Sequence, residues 1–360
     1  MEIIRVRSPY FITVNETSQT SSKIELFIWH KGETEPATPT YTLSKNAPST
    51  TQRANTYNIS NYIKENIDII APTATNIVAE ESAKMWAYCR VKRYATVSGV
   101  ESLLNNVVYI GLNGYTDYSN GYNFNFPKNN LVLVNGKITR YYYLKTGYSD
   151  SSYFNYFMQE TSPNDTIEVR YYDKSNTLIA TTSLASDDDY LYKIPYTRNN
   201  VGLVNGGYVT IYNVTDADEI ETIFSEPLCE PKYKPVVCSY INANGGWQYL
   251  TFFKAKSESF ESKSKDYNLL PNAVDYNELR GQSKAFNFVA TKSIKINTGW
   301  VDENYSLLIE ELFNSETILL DNLPVKLKAT SFELKTSLKD KMINYEIDFE
   351  YNYNQINNVI

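Results

Sequence analysis

Near the end of the chain, Ile343, Tyr345, Ile347, Phe349, Tyr351 and Tyr353 alternate one for one with Asn344, Glu346, Asp348, Glu350, Asn352 and Asn354. Successive side chains of a strand point to opposite faces, so this order puts every apolar group on one face and every polar group on the other. A long, half-buried antiparallel strand follows, and a helix is excluded, because helical winding would scatter the apolar groups around the cylinder. Shorter alternating stretches separated by polar turns recur along the rest of the sequence. The composition agrees, since 32 Tyr beside plentiful Asn, Thr and Ser are residues of strands and turns. A mainly β chain is expected.

A length of 360 residues suits two or three domains, and three are expected. Residues 1–127 read as a β-sandwich of the immunoglobulin or fibronectin kind, with strands at 10–14, 23–30, 39–44, 55–59, 86–94 and 107–112. Residues 61–70 fit either a short helix or an extended edge. Residues 128–225 read as a second sandwich built from three hairpins. These are 131–144 around Asn135-Gly136, 166–183 around 173–176, and 203–212 around Asn205-Gly206-Gly207. Residues 226–360 open on a proline-rich connector and form a β-domain with one packed helix over about 301–314, where Tyr305, Leu308, Ile309 and Leu312 share a face and Asp302 and Glu303 lie in the first turn. Its strands are expected at 235–241, 247–254, 283–298, 317–320, 325–329, 331–336 and 342–353. The intervening 256–266 is a polar segment, too charged for a core.

Several chemistries find no support. His30 is the only histidine, which excludes a multi-histidine metal site and leaves Ser-His or Cys-His catalysis nowhere else to form. No glycine-rich phosphate loop or zinc-protease motif occurs. Asp187-Asp188-Asp189 lacks the spacing of a calcium loop and reads as a solvated turn, and Glu310-Glu311 as the charged flank of the helix. The three cysteines, Cys89, Cys229 and Cys238, make neither a zinc knuckle nor an even disulfide set, although Cys229 and Cys238 have a spacing that permits a bridge. The net charge of -7 carries no basic stripe, and Arg90, Lys92 and Arg93 fit a solvated strand face, so nucleic acid is not an expected partner. No apolar run is long enough to cross a membrane as a helix, and the N-terminus lacks a signal-peptide pattern. No cofactor or metal is expected, and the chain reads as a non-enzyme.

The aromatic tracts are the better target. Tyr153, Phe154, Tyr156 and Phe157, Tyr141 and Tyr143, and the loop bearing Tyr115, Tyr118, Tyr122, Phe124 and Phe126 hold more rings than alternation alone can bury. With Trp247, Tyr351 and Tyr353, the tyrosine tract and the loop supply the candidate assembly or binding surface; the alternative is that Tyr serves this chain as its ordinary core aromatic.

Three regions carry a family resemblance. VRSPYFITVNETSQTSSKIELFIWHKGETEPATPTYTLSK at 6–45, CEPKYKPVVCSYINANGGWQYLTFFKAKSES at 229–259, and IKINTGWVDENYSLLIEELFNSETILL at 294–320 followed by KTSLKDKMINYEIDFEYNYNQINNV at 335–359 resemble virion proteins of tailed bacteriophages infecting Bacteroidota. The organisation is similar to that of distal-tail or hub adaptors. The resemblance implies a structural subunit of a tail, ring or baseplate, folded and assembled in the host cytoplasm and located in the virion. It implies copies of itself and other tail proteins as partners, and brings no catalytic residues. A receptor- or glycan-binding tail-tip protein, with a host surface glycan as partner, is the alternative reading; a polysaccharide-degrading enzyme is a third.

Overall fold

The computed structural model describes residues 1–73, 75, 77–126, 130–134, 140–143, 152–159, 166–185, 188–196, 206–227, 232–270, 274, 277–328 and 342–354. The protein is mainly β, with several sheets and, among the described residues, two α-helices, one of them packed. Its contacts divide it into two units. The first comprises Met1–Glu230, Ser239–Leu250 and Asn314–Glu316; the second comprises Pro231–Cys238, Thr251–Phe313 and Thr317–Ile360.

The first unit opens with β1 (Glu2–Arg5), β2 (Phe11–Val14), β3 (Gln19–Trp29), β4 (Tyr41–Asn46) and β5 (Asn55–Asn58). The short helix α1 (Ser60–Lys64), β6 (Ala79–Glu80), β7 (Trp86–Val97) and β8 (Val100–Leu112) follow. A sheet in the order β1-β8-β7-β3-β4 faces the antiparallel pair β2-β5. Between them Ile24, Leu26, Ala87, Cys89 and Val91 from the sheet meet Ile12, Val14 and Tyr57 from the pair, with Ile59 and Ile63 of the α1 region in the same core. β7 and β8 are longer than the sequence indicates. They form one hairpin turning at Ser98-Gly99, whose φ angles of 51° and 79° are those a two-residue primed turn requires. Val100–Asn106 is exposed on both faces, so no alternation marks that half of β8.

The unit continues with β9 (Asn130–Leu133), β10 (Arg140–Tyr143), β11 (Tyr153–Met158), β12 (Ile167–Asp173), β13 (Leu178–Leu184), β14 (Tyr190–Pro195), β15 (Gly207–Asn213) and β16 (Asp218–Pro227). Two sheets result, β10-β16-β15-β12-β13 and β6-β14-β11-β9. Strand β6, which precedes β7 in sequence, thus pairs with β14, Glu80 opposite Tyr192. Of the three expected hairpins, 166–183 forms as β12-β13. The 131–144 hairpin does not: β9 pairs with β11 and β10 runs parallel to β16, so the two strands lie in different sheets. In the third, β15 takes β12 and β16 as partners, and residues 201–205 lie outside the described residues.

All six residues of β11 are buried, which corrects the expectation of surplus rings there. The strand is covered on both faces. Tyr153 and Phe157 on one side meet Tyr249 and Trp86 at 5.3 and 5.1 Å, and Phe154 on the other meets Tyr196 at 5.4 Å. A strand buried twice needs no polar alternation.

β17 (Val236–Ile241) and β18 (Trp247–Phe252) flank the Asn244-Gly245-Gly246 turn as expected. The second unit then adds β19 (Ser257–Asn268), β20 (Ser283–Asp302), α2 (Tyr305–Phe313), β21 (Ile318–Leu320), β22 (Leu323–Leu327) and β23 (Met342–Tyr351). The sheet order is β18-β17-β21-β22-β23-β20-β19. β23 is the alternating strand, and Ile343, Tyr345, Ile347 and Phe349 are all buried. Phe349 and Ile347 lie opposite Ile294 and Ile296 of β20, and Val325 of β22 and Leu308, Ile309 and Leu312 of α2 are buried in the same unit. The helix is shorter than 301–314 because β20 runs on to Asp302. Asp302 and Glu303 therefore precede the first turn, and the Asp302 carboxylate accepts the Asn304 N–H at 2.9 Å. The segment 256–266, expected as a polar stretch, is strand β19. The strand expected at 331–336 lies outside the described residues.

Candidate assembly surface

The loop that follows β8 carries five of the expected residues and is held in shape by two arginines of the N-terminal segment. The Arg5 guanidinium sits 4.9 Å from the Phe124 ring centre and 4.4 Å from that of Phe126, while donating to Asn244 Oδ1 at 2.8 Å. Arg7 lies over Tyr115 at 4.8 Å. Asn123, at φ 57°, uses its side chain as a strand uses its backbone, accepting the Phe11 N–H at 2.5 Å and donating to the Phe11 carbonyl at 2.8 Å. Tyr115, Phe124 and Phe126 are thus half-buried packing groups. Tyr118 and Tyr122 remain outward, at 101% and 67% exposure, with Tyr122 resting edge-on against Phe11. A loop fixed before contact loses little conformational freedom on binding.

Trp247 is not a surface residue. It is fully buried, because Asn242 and Asn244 donate to the Leu133 and Val134 carbonyls and draw the turn before it inward. The backbone N–H of Trp247 donates to Asn155 Oδ1 at 2.8 Å. Tyr141 and Tyr143 lie on β10, and their side chains are outside the described residues.

In the second unit Tyr351 and Tyr353 mark where the core face of β23 emerges into solvent. Tyr351 is half-buried, Tyr353 is 40% exposed, and their rings are 5.4 Å apart. Lys292 of β20 lies between the Tyr351 and Phe260 rings, at 5.7 and 5.6 Å, and pairs with Glu258 at 2.7 Å. The hydrogen bond from Lys292 pulls the Glu258 carboxyl below its ordinary range. Phe260 and Glu258 belong to β19, an element that sequence reasoning passed over.

Every residue of β19 is exposed, as is the half of β20 that pairs with it from Ser283 to Phe288. The ribbon still carries large apolar groups: Phe260, Tyr267, Phe286 and Phe288 are exposed, and just past the strand ends Leu270 and Leu279 stand at 96% and 97%. The signal available in sequence was Ser at 257, 259, 262 and 264 among charged and aromatic residues, a strand polar on both faces. An isolated two-stranded ribbon is at best marginal in water, so the main sheet must anchor this one. That anchor is β20 itself, whose other half pairs with β23.

The acidic candidates serve the fold. Asp189 is buried and accepts the Tyr88 hydroxyl at 2.8 Å, so it is not part of a solvated turn; Asp188 lies 3.9 Å from Lys31, and Asp187 is outside the described residues. Glu311 is buried on α2. His30 donates from Nδ1 to the Trp86 carbonyl at 2.8 Å. Cys89 and Cys238 are buried free thiols, and Cys229, the other half of the weighed bridge, lies outside the described residues. Among the described residues no group of three or more His, Cys, Asp or Glu is placed to hold a metal, and no helix is long and apolar enough to cross a membrane. No family model matches this chain, and no curated protein matches it.

Proposed function

We propose that this protein is a non-enzymatic structural subunit of a phage tail or baseplate that assembles into a symmetric ring through contacts between its β-domains. The β19-β20 ribbon carries the reading. A chain that spends a twelve-residue strand on solvent, and sets aromatic and aliphatic groups along it, has built an element whose apolar surface is satisfied by another chain. The three segments resembling phage virion proteins give the setting, with assembly in the host cytoplasm. Copies of the chain and neighbouring tail proteins are the partners.

Replacing residues 262–290 with Asn-Gly tests this, because it joins Glu261 to Thr291, which already face each other across the ladder. The shortened chain should keep its fold and thermal transition and lose assembly. Rings formed by the shortened chain would sink the proposal.

Tyr118 and Tyr122, outward on an anchored loop, favour a second reading as a glycan-binding tail-tip protein. It predicts glycan-array binding that disappears in Tyr118→Ala/Tyr122→Ala, and unaltered binding in that variant would remove it.

A further inference from the structure

The ring reading leaves open what the ribbon touches, and two features of the chain answer each other. The first is the distal ribbon. Lys265 faces Phe286 across the ladder and Tyr267 faces Lys284, so two cations and two aromatic rings share one face, with the Tyr267 and Phe286 rings 5.6 Å apart. Lys265 and Lys284 form no ion pair among the described residues of a chain of net charge -7, whereas neighbouring Lys263 is paired with Glu261 at 3.1 Å.

The second is the outer face of the sheet β10-β16-β15-β12-β13. Register sets Leu178, Tyr172, Tyr208 and Phe224 directly opposite one another, an apolar row across four strands. Tyr172 and Tyr208 stack at 4.8 Å, Tyr208 meets Phe224 at 5.6 Å, and Leu178 and Phe224 at the ends are exposed. The β15-β16 hairpin across which the row runs holds Asp216, Asp218, Glu219, Glu221 and Glu226 within 206–227, without a single Lys or Arg. Register puts Glu219, opposite Tyr212, on the face of the row, whereas Glu221 lies opposite the buried Ile211; Asp216 and Asp218 stand exposed at the hairpin end, and Asp216, Asp218 and Glu219 form no ion pair among the described residues.

Several antiparallel registers of β19 with β19 of another copy set like charges opposite each other. An antiparallel register centred on Glu261 opposes that residue to itself, one centred on Ser262 opposes Glu258 to Asp266, and one centred on Lys263 opposes Lys263 to itself. Like charges directly opposite destabilise a ladder, and charged edges are the usual guard against such pairing. The ribbon's faces remain available.

We propose that the distal face of the ribbon in one copy docks on the outer face of the sheet at the β15-β16 hairpin in the next, Lys265 and Lys284 meeting Glu219 and the exposed Asp218 at the hairpin end and Tyr267 and Phe286 meeting the Tyr172-Tyr208-Phe224 row. The contact joins two different patches, so it is head-to-tail and closes into a ring when the rotation permits. Long-range attraction between the two charge sets aligns the partners before the rings touch. The inference rests on the ring reading, which it supplies with a partner surface.

Charge exchange tests it on the full-length chain. The ribbon variant K265E/K284E and the hairpin variant D218K/E219K are each expected to keep the wild-type circular dichroism and lose the assembled species in light scattering. Mixed in equal amounts they should regain it, since each brings the partner the other lacks. If both variants assemble like the wild type, or stay folded and fail to assemble when mixed, the docking is refuted and the ring reading stands. A wild-type chain that never assembles removes the ring reading as well.

Discussion

The tyrosine-rich interior makes a specific demand on pH. Tyr10, Tyr153 and Tyr156 in the first unit have their phenols pushed well above the ordinary value, mainly by burial, and burial does the same to the Cys89 thiol. Tyr153 also donates to the buried Glu81 carboxylate at 2.8 Å, which favours the protonated phenol. When the chain unfolds these groups ionise at their free values, near pH 10 for a phenol and about 8.5 for a thiol. A folded value raised above the unfolded one gives stability that is fully present below the unfolded value and is lost as pH rises beyond it. The loss is a little over 1 kcal/mol per group and pH unit. At about pH 11 each of the three tyrosines has lost between about 1 and 2 kcal/mol and the thiol about 3 kcal/mol. Together they remove roughly 8 kcal/mol, against the roughly 5–15 kcal/mol that a domain has to lose. Ultraviolet absorbance of phenolate and far-ultraviolet circular dichroism, followed together on an alkaline titration, should show a phenolate step coincident with loss of structure at about pH 11. Smooth ionisation of every tyrosine with the dichroism unchanged would refute the reasoning, because it would mean that the buried phenols lose their protons at no cost to the fold.

Three substitutions probe the packing. Trp247→Ala should cost about 3–5 kcal/mol in urea unfolding, the range for deleting a large buried aromatic, whereas a loss under about 1 kcal/mol would return Trp247 to the surface. In Gly246→Ala the new methyl would lie 2.7 Å from Leu133 Cβ and 2.8 Å from the Leu133 carbonyl oxygen. It should lower the thermal midpoint through about 1–3 kcal/mol of overpacking, and an unchanged midpoint would contradict the contact. Tyr153→Phe removes the hydroxyl that donates to Glu81 and should cost about 1–3 kcal/mol; a Tyr153→Phe/Glu81→Gln cycle without coupling would show that the pair does not interact.

What the sequence made legible followed the number of faces a strand buries. β23 buries one face, and its alternation gave both the strand and its inward set, Ile343 to Phe349. β11 buries two, so YFNYFM showed no alternation and its rings looked surplus when they were core. β19 buries neither, and SESFESKSKDYN resembled a charged connector for want of any apolar period. Partner choice was less legible still. The Asn-Gly signal at 135–136 pointed to a local hairpin, yet β9 and β10 find their partners at long range. For the candidate surface, composition located the 115–126 loop but not which of its rings Arg5 and Arg7 would cover. The row Leu178-Tyr172-Tyr208-Phe224 exists only once register has aligned four strands.

The central claim is that this chain works as an assembling subunit, and absolute mass bears on it most directly. Light scattering of the purified full-length protein across a concentration series, with negative-stain images of the same peak, is predicted to show a closed ring of several copies with rotational symmetry. A single 41.3 kDa species at every concentration, with no ring in the images, would contradict the account.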